Sequence, residues 1–591
     1  MSDNRNFDDN KRRPMNENGE RRYGRPANEN GERRYGRPAP EGEKRYGRPA
    51  LQGDRPAYAR NNNADGERRY GRPANENGER RYRRPAPEGE KRYGRPTPQG
   101  DRPAYRNHNE ENGEYVPRRE RPHEDRRSFK NRPAGKPTGR IKPVASREDV
   151  SRMIALMALQ DVFREDAYAS LALNRRLRES AASPEDKKLA TFIFYAAVEN
   201  RLLISFILNQ FAERTPDPIV EDILHIAIAQ LMFMDRIPEH AAVDEAVKMT
   251  KRLGREEQSG FVNGVLRSLL RKKEAGEIRM PDEIEQPVRR MSIKYSMPEP
   301  LVKRLVDCYG ESFVEDMLAY KPDERLESVR PNWMKMDAQA FKAYAEKKNW
   351  DVREGSVPGV LLVHGAGDLA GDPDYRQGVY SIQGASSMLA AEAVGAKPGM
   401  QILDACAAPG GKSCLMAERM MGSGRVIAWD IHAHRVDLIK AATGRLGLDN
   451  VRPAVRDASV FKSDMEFMMD AVLVDAPCSG LGVMINKPDV KYRYKDEQID
   501  ELVQLQRKIL HACARYVKVG GTLVYSTCTV LPEENAQQVE HFLKTHGDFV
   551  IDDDPSFLPE NLRANWHDGM IQLQAHRDGS EGFFIAKLKR I

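Results

Sequence analysis

The sequence predicts a doubly wound α/β domain at the end of the chain. An all-α bundle and a small mixed α/β segment precede it, with an unstructured arm in front. Three observations carry this prediction. The hydrophobic pattern switches from helical spacing to short apolar runs separated by helical stretches near Met400. Only eight residues between Met1 and Ala145 are Val, Ile, Leu, Phe or Met. The charge is also divided: residues 1–145 hold 37 Lys and Arg against 23 Asp and Glu, although the 591-residue chain nets only +6.

The arm, residues 1–145, has too little apolar surface to offset the entropy of ordering it. It repeats itself, since Tyr23, Tyr35, Tyr46 and Tyr58 realign with Tyr70, Tyr82, Tyr93 and Tyr105 after 47 residues. A solenoid repeat carries a periodic apolar face, and this one has none. Arginine neutralises phosphate, and guanidinium and tyrosine rings stack on bases. The composition therefore suits a disordered, basic RNA tether without sequence preference, or a plain spacer. Six cysteines with no Cys-x-x-Cys pair argue against a disulfide scaffold or a zinc ribbon. The polar start, Met1 to Pro14, does not read as a signal peptide. The longest apolar run, Ile223 to Met234, contains His225 and Gln230 and reaches about half a bilayer span. The expectation is a cytoplasmic monomer with no membrane partner.

Residues 147–275 carry helical periodicity. Ile154, Met157, Ala158 and Val162 share one face, as do Leu224, Ala227, Ile228 and Leu231. Ser183-Pro-Glu-Asp186 reads as a helix start, and Pro216-Asp-Pro218 and Asp235-Arg-Ile-Pro238 read as breaks. About five amphipathic helices of this kind make a bundle. Ile223-Leu-His-Ile-Ala-Ile-Ala-Gln230, Pro238-Glu-His-Ala-Ala-Val243 and, most specifically, Gly260-Phe-Val-Asn-Gly-Val-Leu-Arg267 resemble the NusB-like RNA-binding domain. The resemblance implies RNA contact there, with Arg267 a candidate. Residues 281–377 read only as mixed α/β.

Residues 378–591 alternate strands and helices. Met400–Asp404, Arg425–Asp430, Val451–Val455, Ala471–Asp475 and Gly521–Ser526 read as strands of a parallel sheet, whose ligands bind at the strands' carboxyl ends. The turn after the first strand, Cys406-Ala407-Ala408-Pro409-Gly410-Gly411-Lys412, invites a phosphate-loop reading. That motif needs glycine where Cys406 stands. Asp404, Asp430, Asp457 and Asp475 at the strand ends would repel a triphosphate. They suit ribose hydroxyls, an amino group and a positive centre, as in S-adenosyl-L-methionine (SAM). Asp430, 18 residues after Lys412, stands where a carboxylate binds ribose hydroxyls in Rossmann-like sheets. His432 and His434 have no third ligand nearby, so no metal is expected.

Cys478 and Cys528 follow two strand ends, which places them on opposite walls of one cleft. One reaction explains both. Carbon 5 of cytosine is too electron-poor to take a methyl group, but a cysteine added at carbon 6 makes it nucleophilic. Asp475 is placed to hydrogen-bond the ring nitrogen, and a second cysteine assists release. Chemistry alone leaves open which cysteine attacks. Cys308, Cys414 and Cys513 read as inert buried residues.

Gly378-Val-Tyr-Ser-Ile-Gln383, Asp404-Ala-Cys-Ala-Ala-Pro-Gly-Gly-Lys412, Asp475-Ala-Pro-Cys-Ser-Gly480, Ser526-Thr-Cys-Thr529 and Gly582-Phe-Phe584 together resemble the RNA cytosine-5 methyltransferase family. With the NusB-like domain ahead, the resemblance narrows to the RsmB (Sun, Fmu) type, which acts on small-subunit (16S) ribosomal RNA. It implies a Rossmann-like SAM-dependent methyltransferase domain, with Cys528 as nucleophile and Cys478 as release residue. Cys406 to Lys412, Asp430, Asp457 and Asp475 would line the SAM pocket. Lys412 would lie near the nucleophile, favouring its ionised form. The substrate would be small-subunit rRNA, free or in an assembly intermediate. Other readings are an inactive NusB-like scaffold and the same chemistry on tRNA. Intact Cys528, Cys478 and Asp475 oppose the first, and the NusB-like domain opposes the second.

Overall fold

The computed structural model describes residues 150–322, 326–355 and 357–591. The basic arm, residues 1–145, lies outside the described residues. Where the chain is described, local capping decides where helices begin. Ser183 Oγ accepts from Asp186 N at 3.1 Å, and Asp217 Oδ1 accepts from Ile219 N at 2.9 Å. A proline follows each cap, where its missing N–H costs nothing.

Seven helices result: Val150–Arg164, Ala169–Glu179, Pro184–Glu199, Arg201–Leu208, Pro218–Phe233, Glu239–Arg252 and Ser259–Glu274. The periodicity suggested about five. One extra comes from a bend of 76° between Pro184–Glu199 and Arg201–Leu208. Asn200 sits at that bend and turns its side chain back onto Ala196 O at 2.9 Å. Ile193, Phe194, Leu224, Ile228 and Leu266 are fully buried between the helices, each stabilising the bundle by roughly 1.5–3 kcal/mol.

The segment after the bundle divides. Helices Pro287–Lys294, Glu299–Tyr309 and Glu311–Ala319 pack Leu301, Leu305 and Val314 against Leu481, Ile499, Val530 and Leu531. A small antiparallel sheet follows, from β1 (Glu327–Pro331), β2 (Asp351–Glu354), β3 (Leu361–His364) and β4 (Tyr380–Ile382), in the order β2-β3-β1-β4. Its fourth strand thus comes from residues beyond 377.

The large sheet holds β5 (Gln401–Asp404), β6 (Arg425–Asp430), β7 (Val451–Val455), β8 (Met469–Asp475), β9 (Val517–Thr527), β10 (Phe549–Ile551), β11 (Met570–Leu573) and β12 (Phe583–Arg590). Its order is β10-β12-β9-β8-β5-β6-β7, with β11 paired to β12. The five expected strands are parallel. β12, which the sequence reading did not name as a strand, runs antiparallel to β9, β10 and β11. Apolar runs reveal strands but not their direction. From β5 the chain steps one way to β6 and β7, then returns to the other side at β8. The crevice between the ends of β5 and β8 is therefore the switch point where ligands bind.

Asp489–Arg493 ties this domain to the bundle. Asp489 accepts from Ala169 N at 3.0 Å, Lys491 Nζ donates to Glu199 O at 3.0 Å, and Tyr492 Oη donates to Val198 O at 2.9 Å. Burial pulls the Lys491 ammonium down to about 8. Among the described residues, no single helix is long and apolar enough to cross a membrane.

Candidate active site

The turn after β5 is built around Gly410. Its φ of +107° and an approach of 3.2 Å between a would-be Cβ and Ile439 Cα exclude a side chain. This lets the chain reverse and start helix Gly411–Arg419 directly at the strand end. Asp404, fully buried, accepts from Ser413 Oγ at 2.6 Å. Burial pushes its carboxyl up to about 7, and its Oδ1 has no hydrogen-bond partner among the described residues.

Lys412 reaches from this helix to the end of β8. Its Nζ lies 2.7 Å from Asp475 Oδ2 and 5.3 Å from the centre of the Phe583 ring. Burial opposes its charge, but Asp475 outweighs that and holds the ammonium above its ordinary pKa. Asp475 Oδ1 accepts from Ser526 Oγ at 2.8 Å. Both oxygens are thus engaged by donors from neighbouring elements.

The two cysteines do not face each other across a cleft. Their sulfurs are 3.3 Å apart. β8 and β9 are neighbours with Asp475 opposite Ser526, so the turns leaving them run side by side. The two thiols are not equivalent. Cys528 is held below the usual thiol range by the S–H of Cys478, against its burial, with further help from the Lys412 charge. Cys478 is pushed well up by that same bond and by burial. Of the two sulfurs, Cys528 is therefore the one whose surroundings favour the ionised form.

Backbone contacts lock these turns together. Gly482 N donates to Cys528 O, and Gly582 N donates to Gly482 O, both at 2.9 Å. The Gly-Phe-Phe segment thus acts as a brace, passing behind the cysteine turns before entering β12.

Asp430 Oδ1 accepts from His432 N at 3.0 Å, and Asp457 Oδ1 accepts from Ser459 Oγ at 2.6 Å. Sequence reasoning missed Arg435, whose Nη1 lies 3.3 Å from Asp430 Oδ2 and whose Nη2 donates to Ala408 O at 3.2 Å. It also missed the buried pair of Arg330 and Glu418, 2.5 Å apart, which joins β1 to the helix after Gly410. Ser479 lies within a quoted motif and Glu534 follows one by five residues, but nothing in the sequence shows that they meet. Of the remaining cysteines, Cys414 and Cys513 are buried, while Cys308 is exposed, contrary to expectation. Cys308 sits near the end of Glu299–Tyr309, and that helix buries the face of Leu301, Val302 and Leu305 instead. No group of three or more His, Cys, Asp or Glu among the described residues is arranged to hold a metal.

Comparison with known proteins assigns the two parts separately. Residues 391–589 match the model of the 16S rRNA methyltransferase RsmB/F family, and residues 149–271 match that of the NusB family. A probable ribosomal RNA small subunit methyltransferase B from Bacillus subtilis is 37% identical over 443 residues, covering 74% of this chain and 98% of its own. The chain belongs to the ribosomal RNA small subunit methyltransferase B family. A second probable member, from Synechocystis, is 31% identical over 74% of this chain and 99% of its own. The crystal structure of PH0851 superposes with a TM-score of 0.62 at 25% identity, covering 76% of this chain and 100% of its own. The fold is accordingly the Rossmann-like fold of SAM-dependent methyltransferases behind a NusB-like bundle. Both cysteines, Lys412 and all four strand-end aspartates fall within the part matched to the methyltransferase family.

Proposed function

We propose that the protein transfers a methyl group from SAM to carbon 5 of a cytosine in small-subunit (16S) rRNA, through a covalent bond between Cys528 and carbon 6. The observation that carries this reading is the pair of sulfurs at 3.3 Å beside the Lys412–Asp475 pair. A thiolate beside a thiol is the arrangement that addition and release demand.

The residues at the strand ends fit SAM. The Gly410 turn starts a helix directly at the strand end, and beside it the buried Asp404 Oδ1 is an acceptor without a hydrogen-bond partner among the described residues. Asp430 and Asp457 would take hydroxyl and amino donors, Cys406 to Lys412 would wrap the ligand, and the summed negative charge favours a sulfonium. When bound, SAM supplies the electrophilic methyl carbon.

The chain's own residues do the rest. The Cys528 thiolate adds to carbon 6, and the ring's electrons shift toward nitrogen 3. There the Asp475 carboxylate and the Lys412 ammonium together supply an acceptor and a proton. The base must be unstacked to meet these groups. After transfer, water takes the proton from carbon 5, and the C–H electrons re-form the carbon 5–carbon 6 double bond. The carbon–sulfur electrons return to Cys528, and nitrogen 3 gives its proton back to the Lys412 amine. Cys478, still protonated, hydrogen-bonds the departing sulfur.

In this reading residues 1–145 form the tether, 147–275 the RNA-binding bundle, 281–377 an RNA-seating extension and 378–591 the catalytic domain. The protein works as a cytoplasmic monomer on free rRNA or an assembly intermediate. The test is nucleoside analysis of rRNA methylated with labelled SAM. Label in 5-methylcytidine is expected, and label on a purine or a ribose oxygen refutes the reading.

A further inference from the structure

Methyl transfer as read above needs sulfurs from two different turns at one pyrimidine, and the sheet holds them together only as far as its strand ends. β8 ends at Asp475 and β9 at Thr527, before either cysteine. Neighbouring strands lie about 4.8 Å apart, and beyond their ends the backbone joins the two turns through Gly482 N and Cys528 O at 2.9 Å. A fully buried side chain adds a second tie closer to the cysteines. Glu534 accepts from Ser479 N at 2.9 Å, from Ser479 Oγ at 2.5 Å and from Gln506 Nε2 at 2.9 Å.

The atoms it gathers flank both cysteines. Ser479 follows Cys478, and its hydroxyl lies 2.7 Å from Thr529 Oγ1, next to Cys528. Gln506 Nε2 also donates to Pro477 O, just before Cys478, at 3.0 Å. Glu534 is itself held by Tyr525 Oη, which donates to its backbone carbonyl at 2.6 Å. These side-chain partners are all uncharged. A buried carboxyl is tolerated only where hydrogen bonds offset its desolvation, and here the donors that do so come from the Cys478 turn and from Gln506 beside it.

We propose, resting on the assignment of Cys528 as nucleophile, that Glu534 is a positioning residue. It ties the Cys478 turn to the Cys528 turn and sets the distance between the two sulfurs, on which release of the adduct depends.

The test compares Glu534→Ala with Glu534→Gln in the full chain. Glutamine preserves the span: its oxygen accepts from Ser479 N and Gln506, and its nitrogen donates to the Ser479 hydroxyl, which turns toward Thr529. The first readout needs neither RNA nor SAM. Phenylarsine oxide exchanges its As–O bonds for two As–S bonds with a close pair of thiols, releasing water, and Cys528→Ala serves as the single-thiol control. Wild type and Glu534→Gln should capture it alike, and Glu534→Ala at least about tenfold more weakly. The second readout is adduct lifetime in a single turnover. A displacement near 1 Å costs roughly 10²-fold, so Glu534→Ala should prolong the adduct by about that factor with RNA affinity unchanged, and Glu534→Gln should restore release. If Glu534→Ala does not fold, Ser479→Ala, which removes the hydroxyl bridge alone, should weaken arsenical capture in the same direction. Wild-type capture and lifetime in the Ala variants, or a Gln variant as slow as Ala, overturns the proposal. Absence of any RNA adduct in wild type and Cys478→Ala would instead overturn the nucleophile assignment, leaving the arsenical result to judge Glu534.

Discussion

Gly482→Ala tests the geometry of the cysteine turns most directly. A Cβ at Gly482 would lie 1.9 Å from Gly582 O and 2.9 Å from Cys528 O, against backbone on both sides. Neither neighbour is the end of a flexible side chain. Reaching a tolerable separation requires the 482 and 582 segments to part by at least about 1 Å, since the repulsive wall is steep. That movement stretches the two 2.9 Å hydrogen bonds joining Gly482 to Cys528 O and to Gly582 N. We expect a stability loss of about 1–3 kcal/mol from overpacking and a fall of roughly 10²-fold in turnover from displaced sulfurs. Thermal unfolding and single-turnover transfer to rRNA measure the two effects separately. A variant with wild-type turnover would refute the claim that this backbone brace sets the site.

Cys528→Ala should abolish both transfer and adduct, while Cys478→Ala should leave a protein–RNA adduct that survives a denaturing gel; wild-type turnover in the first, or a clean gel in the second, rejects the roles assigned. The Asp404 carboxyl, raised from 3.8 to about 7 in the folded chain, binds a proton there that the unfolded chain has lost. Stability should therefore fall as pH rises from about 4 through about 7, and Asp404→Asn should flatten that slope in denaturant titrations. Arg330→Ala leaves the buried Glu418 carboxylate unpaired and should cost about 3–5 kcal/mol in chemical unfolding, with Arg330→Met/Glu418→Met recovering most of it. Deleting residues 1–145 should weaken RNA binding most at low salt and reduce the salt slope without changing the methylated position; an unchanged slope removes the tether role.

The sequence by itself determined which local elements form and where the chemistry is carried. Strands Arg425–Asp430 and Val451–Val455 coincide with the expected spans. Here apolar runs and short loops agree, and such local agreement needs no partner to be read. The aspartates and both cysteines were legible because strand-end turns are written as short motifs. Tertiary structure alone decided what those motifs do to one another. No local signal in Phe583–Arg590 says that it runs antiparallel beside β9, because strand direction depends on the partner. Nor does anything local bring Cys478 and Cys528, fifty residues apart, within 3.3 Å, or run Glu534 back to Ser479. Such contacts arise only when the order of strands in the sheet places two turns side by side.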